Sequence, residues 1–202
     1  MKLEQYIFPI YNGDTIIGQG FVADGYFITA AHVVKDYPFC YVVLKEKRLV
    51  LSQEEPVLMG KDDIYHDEKT MDIVVYSYDN VASLLHLSEY IPQRGDQLNS
   101  LCVHEVSIPF SLKKVAPQVA TFDVSQEQSI VTGREEGNYF YCHCKRYGGS
   151  SGSPLIKGNE VVGIMHGGDD NGLCAFLKSQ VINQQLRQIE LEIEKSNLVR
   201  SE

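Results

Sequence analysis

Up to residue 178 the sequence is a succession of short apolar and aromatic runs, each cut off within a few residues by turn chemistry. The first half carries such runs at Tyr6–Tyr11, Thr15–Val22, Tyr26–Thr29, Tyr41–Leu44, Arg48–Leu51 and Ile73–Tyr76. The second carries them at Leu98–Val106, Gln118–Val124, Ile130–Thr132, Tyr139–Cys144, Pro154–Lys157 and Val161–Met165. Asn12-Gly13 is a strong two-residue hairpin signal, and Asp24-Gly25 turns the chain again. Gly18 and Gly20 suit a bulge or a close backbone approach in a curved sheet. Strands at this spacing, with no helices between them, indicate a barrel or a sandwich.

The polar stretch from Asn80 to Asp96, with Pro92 and Gly95, reads as a connection between two halves. The expected organisation is an all-β protein of two antiparallel six-stranded barrels, residues 1–90 and 91–178, followed by a helix and tail over 179–202. In that last segment Ser179 is placed to cap a helix, and Ile182, Leu186, Ile189 and Ile193 recur at spacings of 4, 3 and 4. The stripe is expected to dock on the second barrel; a dimer seam is the competing reading.

Charge and cysteine usage narrow the partners. A formal net charge of −9 disfavours nucleic acid, whose phosphates need clustered Lys and Arg. No apolar stretch approaches the roughly 20 residues that span a bilayer, so no membrane partner is expected. The first residues lack the apolar core of a signal peptide, which points to the cytoplasm unless a leader was removed. Five cysteines cannot all pair, and an odd count fits a reducing compartment. Cys142-His143-Cys144 puts two thiols on one strand face with no second pair to complete four ligands, so no metal is expected.

Three short segments carry the chemistry. Thr29-Ala30-Ala31-His32 ends a strand on small residues and a histidine. Asp72-Ile73-Val74 places an acid at the entrance to an apolar strand. Gly149-Ser150-Ser151-Gly152-Ser153-Pro154 is a glycine-rich turn with three serines before another strand. Taken singly, each is commonplace. In the order His, Asp, Ser they resemble the trypsin-like, chymotrypsin-fold serine peptidases over roughly residues 6 to 178. Ser151-Gly152-Ser153-Pro154 and Gly163-Ile164-Met165-His166-Gly167-Gly168 look most similar to the glutamyl endopeptidases, then to the high-temperature-requirement proteases.

That resemblance implies a serine endopeptidase with His32, Asp72 and Ser151 as its catalytic triad. The family motif makes Ser151 the nucleophile over Ser150 and Ser153, and Asp72 the acid over Asp62, Asp63 and Asp67. A serine hydroxyl attacks a carbonyl only if a base takes its proton, and histidine suits this with a pKa of about 6.5. The N–H groups of Gly149 and Ser151 would form the oxyanion hole. Substrate-binding walls are implied at Lys145, Arg146, Met165, His166, Gly167 and Gly168. Lys145 and Arg146 would favour an acidic residue before the cut.

Departures from the family are equally specific. The threonine of glutamyl endopeptidases corresponds to Arg146, and their pocket histidine to Met165. His166 falls one place later, where a strand side chain points the other way. Ser150 replaces the aspartate of the trypsin zymogen switch, so no such switch is expected. The partner implied is a protein or peptide substrate, with a regulatory protein as a further candidate, and no cofactor is required. The alternatives are a latent protease activated by a partner and a catalytically dead binding module on the same fold.

Overall fold

A computed structural model describes residues 2–61, 67, 69–79, 82–105, 122–145 and 147–200. The first half forms a seven-stranded sheet from β1 (Ile7–Asn12), β2 (Thr15–Ala23), β3 (Tyr26–Thr29), β4 (Tyr41–Leu44), β5 (Lys47–Val50), β6 (Leu58–Met59) and β7 (Val74–Ser77). Their spatial order is β5-β4-β1-β2-β3-β7-β6, with every neighbouring pair antiparallel. β1, β2 and β3, and likewise β4 and β5, are neighbours both in the chain and in space because the turns between them are short. Asp24 and Gly25 take φ of 49° and 81°, the positive pair that a tight hairpin between right-twisted strands needs. Lys45 and Glu46, with φ of 46° and 66°, make the same kind of turn between β4 and β5 without a glycine.

The second half comprises β8 (His86–Leu87), β9 (Gln97–Glu105), β10 (Phe122–Glu136), β11 (Tyr139–His143), β12 (Pro154–Lys157), β13 (Glu160–Gly168) and β14 (Leu173–Lys178). Here β12 pairs with both β9 and β13, so six strands close into a barrel and β8 adds in parallel to the outside of β13. The architecture is thus one closed barrel and one half-barrel. Two separate expected runs, Gln118–Val124 and Ile130–Thr132, belong in their described parts to the single 15-residue β10. Polar residues fill its middle because the strand is largely exposed there. The register shifts between Val131 and Glu135, with Gly133 at φ 84°.

One core cluster spans the two halves, joining Phe21, Ile28 and Val75 to Leu101, Tyr139, Ile164 and Leu177. Each large apolar side chain buried this way contributes about 1.5–3 kcal/mol. The C-terminal helix α2 (Ser179–Arg200) inserts Ile182 and Leu186 into the same cluster. Ile193 on the same stripe is exposed, so only the first turns of the helix dock. Ser179 opens the helix with its hydroxyl buried and without a hydrogen-bond partner among the described residues, so it does not act as the expected cap.

Gln19 is a fully buried polar residue at the seam. Its Nε2 donates to the Leu101 carbonyl at 2.7 Å, and its Oε1 accepts from the Val103 N–H at 2.8 Å. A β2 side chain thereby satisfies two backbone groups of β9 in the other half. Gln19→Ala strands both of them, at about 1–3 kcal/mol each. The expected loss is therefore about 2–6 kcal/mol in urea unfolding, read as a lower midpoint.

Candidate active site

Local structure brings His32 and Asp72 together. β3 ends at Thr29, extended Ala30 follows, and the short helix α1 (Ala31–Asp36) places His32 in its first turn. Ala30 and Ala31 are wholly buried, which leaves no room for larger side chains without repacking. Asp72 stands just before β7 and is itself buried. Its Oδ1 accepts the His32 backbone N–H at 2.9 Å, and its Oδ2 lies 2.6 Å from His32 Nδ1. A carboxylate can only accept, so Nδ1 carries the proton and a neutral ring keeps its lone pair on Nε2.

The second barrel supports this acid from behind. The Asp72 N–H donates to the hydroxyl of Tyr139, on β11, at 2.8 Å. Tyr139→Phe removes that acceptor from a buried N–H and should cost about 1–3 kcal/mol. Thermal unfolding would show it, as a melting temperature lower by about 2–4 °C per kcal/mol for a chain of this size.

A second histidine reaches the same acid. His166 Nδ1 also lies 2.6 Å from Asp72 Oδ2, and its ring meets those of His32 and Tyr139 edge-on at 5.6 and 5.8 Å. The cause is a register shift between Met165 and Gly167 in β13, which makes His166 the extra residue. Met165 turns into the barrel core and is buried. Burial alone would push the Asp72 carboxyl up. The hydrogen bonds from His166 and His32 more than reverse this and hold it well below the usual carboxylate range.

Ser151 sits in a turn pinned from several sides. The Ser150 N–H donates to the Tyr147 carbonyl and the Ser153 N–H to that of Ser150. The Gly152 N–H donates to Met165 O at 2.8 Å, and the Gln19 N–H to Ser151 O at 2.9 Å. The Ser151 hydroxyl donates to the His166 carbonyl at 3.3 Å, which ties the serine to the segment carrying the second histidine. Gly149 and Gly152 take φ of 82° and 85°, so the motif's glycines meet a conformational need. Ser150 and Ser153 are buried, at 4% and 0% exposure, whereas Ser151 is partly open.

The remaining expected residues are distributed as follows. Gly167 faces open space, while a side chain at Gly168 would meet Cys174 Sγ at 2.6 Å. Lys145 is exposed, with Nζ 4.8 Å from the Tyr147 ring centroid. The Tyr147 hydroxyl in turn donates to Glu127 at 3.0 Å. Arg146, Asp62 and Asp63 lie outside the described residues. Asp67 is exposed and accepts the Lys69 N–H through Oδ1, as a loop cap does. Sequence reasoning missed Gln19, Tyr139 and the pairing of His166 with Asp72. For His166 the signal was its one-place offset from the family's pocket histidine.

Among solved structures, the Mycobacterium tuberculosis protease Rv3671c in its active form is similar at 17% identity and a TM-score of 0.60. That match covers 93% of this chain and 82% of that one. Mouse neuropsin, a serine protease, matches at 18% identity and TM-score 0.60 over 92% and 94% of the two chains. The serine endoprotease of Yersinia pestis matches at 18% and 0.63, covering 93% of this chain and 63% of its own. At these identities the likeness is one of fold. No curated protein sequence matches. The family model for the trypsin-like peptidase domain matches residues 18–164, most of the chain, and the protein belongs to that family.

Proposed function

We propose that the protein is a serine endopeptidase that cuts peptide bonds through an acyl-enzyme, with Ser151 as nucleophile and His32 as general base. The observation that carries this reading is the grip of Asp72 on His32 through both carboxylate oxygens, which puts the ring proton on Nδ1 and the lone pair on Nε2. The reading requires the Ser151 hydroxyl to leave the His166 carbonyl, to which it now donates, and turn to that nitrogen. Oγ then attacks the scissile carbonyl as its proton passes to His32, and the imidazolium faces the buried Asp72 carboxylate. The Gly149 and Ser151 N–H groups receive the oxyanion, a single such donor being worth about 2.7–4 kcal/mol. His32 returns the proton to the leaving amine, and water repeats the sequence on the ester.

The test is labelling with a fluorophosphonate, followed by mapping of cleavage sites in a peptide mixture. Labelling confined to Ser151, with peptide cleavage that Ser151→Ala lacks, supports the reading. An unlabelled protein that cleaves nothing overturns it and favours a binding module.

The preference for an acidic residue before the cut rests on Lys145, whose exposed ammonium lies 4.8 Å from the Tyr147 ring centroid. Lys145→Glu should lower kcat/KM for such substrates by about 10-fold or more, from the loss of one charge-assisted contact and the gain of a repulsion. Equal rates on Glu and Gln substrates in the parent would remove this preference.

A further inference from the structure

We propose that His32, Asp72 and His166 form a site for a zinc-class divalent ion, and that occupancy switches the peptidase off. The binding half stands on geometry alone; the inhibitory half rests on the function proposed above. Two imidazole Nδ1 atoms converge on one carboxylate oxygen at 2.6 Å each, and the three ligating atoms all lie within 4.8 Å of one another. Their side chains are 21%, 0% and 12% exposed, so the acid is sheltered while the two histidines keep some contact with solvent. The acid is also fixed before any ion arrives. Its Oδ1 holds the His32 N–H, and its own N–H is held by Tyr139. Such outer contacts orient a ligand and raise affinity.

The donor set selects the ion. Two imidazoles and one carboxylate suit zinc, cobalt, nickel or copper, whereas calcium and magnesium take oxygen shells. Zinc bonds of about 2.0–2.1 Å put tetrahedral ligand atoms about 3.3 Å apart. The N–O separations must therefore open by about 0.7 Å and the two nitrogens, with all ligand atoms now within 4.8 Å of one another, must settle at about 3.3 Å, through rotation of the carboxylate and rings. A water completes the fourth position.

Inhibition follows from proton placement. In the metal-free protein each neutral ring carries its proton on Nδ1 and its lone pair on Nε2. The ion needs the Nδ1 lone pair, so each ring's proton moves to Nε2. A ring that starts as imidazolium releases one proton to solvent instead. Nothing is oxidised or reduced. His32 then presents an N–H toward Ser151 and has no lone pair with which to take the hydroxyl proton. A base that needs Nε2 empty and a metal that needs Nδ1 empty cannot share one imidazole.

The experiment uses Ser151→Ala, which keeps all three ligands. After EDTA treatment and removal of the chelator, zinc chloride is titrated calorimetrically, and cobalt(II) is followed by its visible and X-ray absorption. We expect one ion per chain, two imidazoles and one carboxylate around cobalt, and at least about 10-fold weaker binding in Ser151→Ala/His166→Asn. The parent should lose peptide cleavage at the same zinc concentration and regain it with EDTA. A folded Ser151→Ala that binds no stoichiometric ion overturns the site, as does cobalt bound by fewer than two imidazoles. Binding undiminished in a folded His166→Asn background also overturns it. An ion bound as expected while the metal-free parent neither cleaves nor labels supports the site and overturns the protease reading instead.

Discussion

Ser151→Ala should lower kcat for peptide hydrolysis by about 10⁶-fold with the melting temperature nearly unchanged, because the partly open hydroxyl contributes one 3.3 Å hydrogen bond to the fold. Asp72→Asn should cost about 10⁴-fold, since an amide can offer Oδ1 or Oδ2 as an acceptor but not both. Here the loss has a second part. Both His32 and His166 direct Nδ1 at Oδ2, so an NH₂ group at that position confronts two N–H donors and drives both rings toward the wrong tautomer. In the double variant the two losses should not multiply, because without a nucleophile the base has no proton to take. Active-site titration with a fluorophosphonate, together with single-turnover rates, measures all three proteins. A Ser151→Ala protein that retained a hundredth of the parent's rate would place the nucleophile elsewhere. Ser150 and Ser153 are poor replacements because both are buried in the turn.

Much of this was legible in the sequence because the signals are local. The positive-φ requirement at Asp24-Gly25 is written in the residue types, and so are the small residues before His32 and the glycines around Ser151. The turn at Lys45-Glu46 has the same backbone but neither glycine nor asparagine, so composition gives no hint of it. Non-glycine residues held there cost about 1–2 kcal/mol each, and the β4–β5 pairing offsets that cost. The long β10 read as two runs because its middle is polar and exposed, while its continuity comes from nine register pairs with β9. Closure of one half and not the other depends on β12 pairing on both sides, a non-local event.

The site divides along the same line. Order and motif carried His32, Asp72 and Ser151, since each sits in a recognisable segment. His166 could be numbered but not aimed, because one extra residue in β13 decides which way its ring points. Gln19 looks like an ordinary polar residue in a strand. Its role exists only because two Leu101–Val103 backbone groups, more than 80 positions away, arrive beside it.

Gly152→Ala should damage fold and catalysis together. Gly152 has φ 85°, and an added Cβ would stand 2.1 Å from Gln19 O, 2.7 Å from Thr29 Oγ1 and 3.1 Å from Ala30 N. The left-handed backbone costs an L-residue about 1–2 kcal/mol and overpacking about 1–3 more. The expected loss is therefore about 2–5 kcal/mol, or a melting temperature lower by about 4–20 °C. Relief is difficult because the struck atom is occupied: Gln19 O accepts the Thr29 hydroxyl at 2.7 Å, while the Gln19 N–H holds Ser151 O. Any shift that frees the methyl moves β2, the approach to His32 or the Ser151 turn. Gly158→Ala is the matched control, with φ 64° and nothing within 4 Å of the added carbon, so it carries the backbone cost alone. Calorimetric melting of both variants separates the two contributions. Equal losses would mean that the contact with Gln19 relaxes freely. A much larger loss at Gly152, with kcat/KM falling at temperatures where the variant is still folded, would mean that one glycine sets the distance between the Ser151 turn and the half of the fold that carries His32.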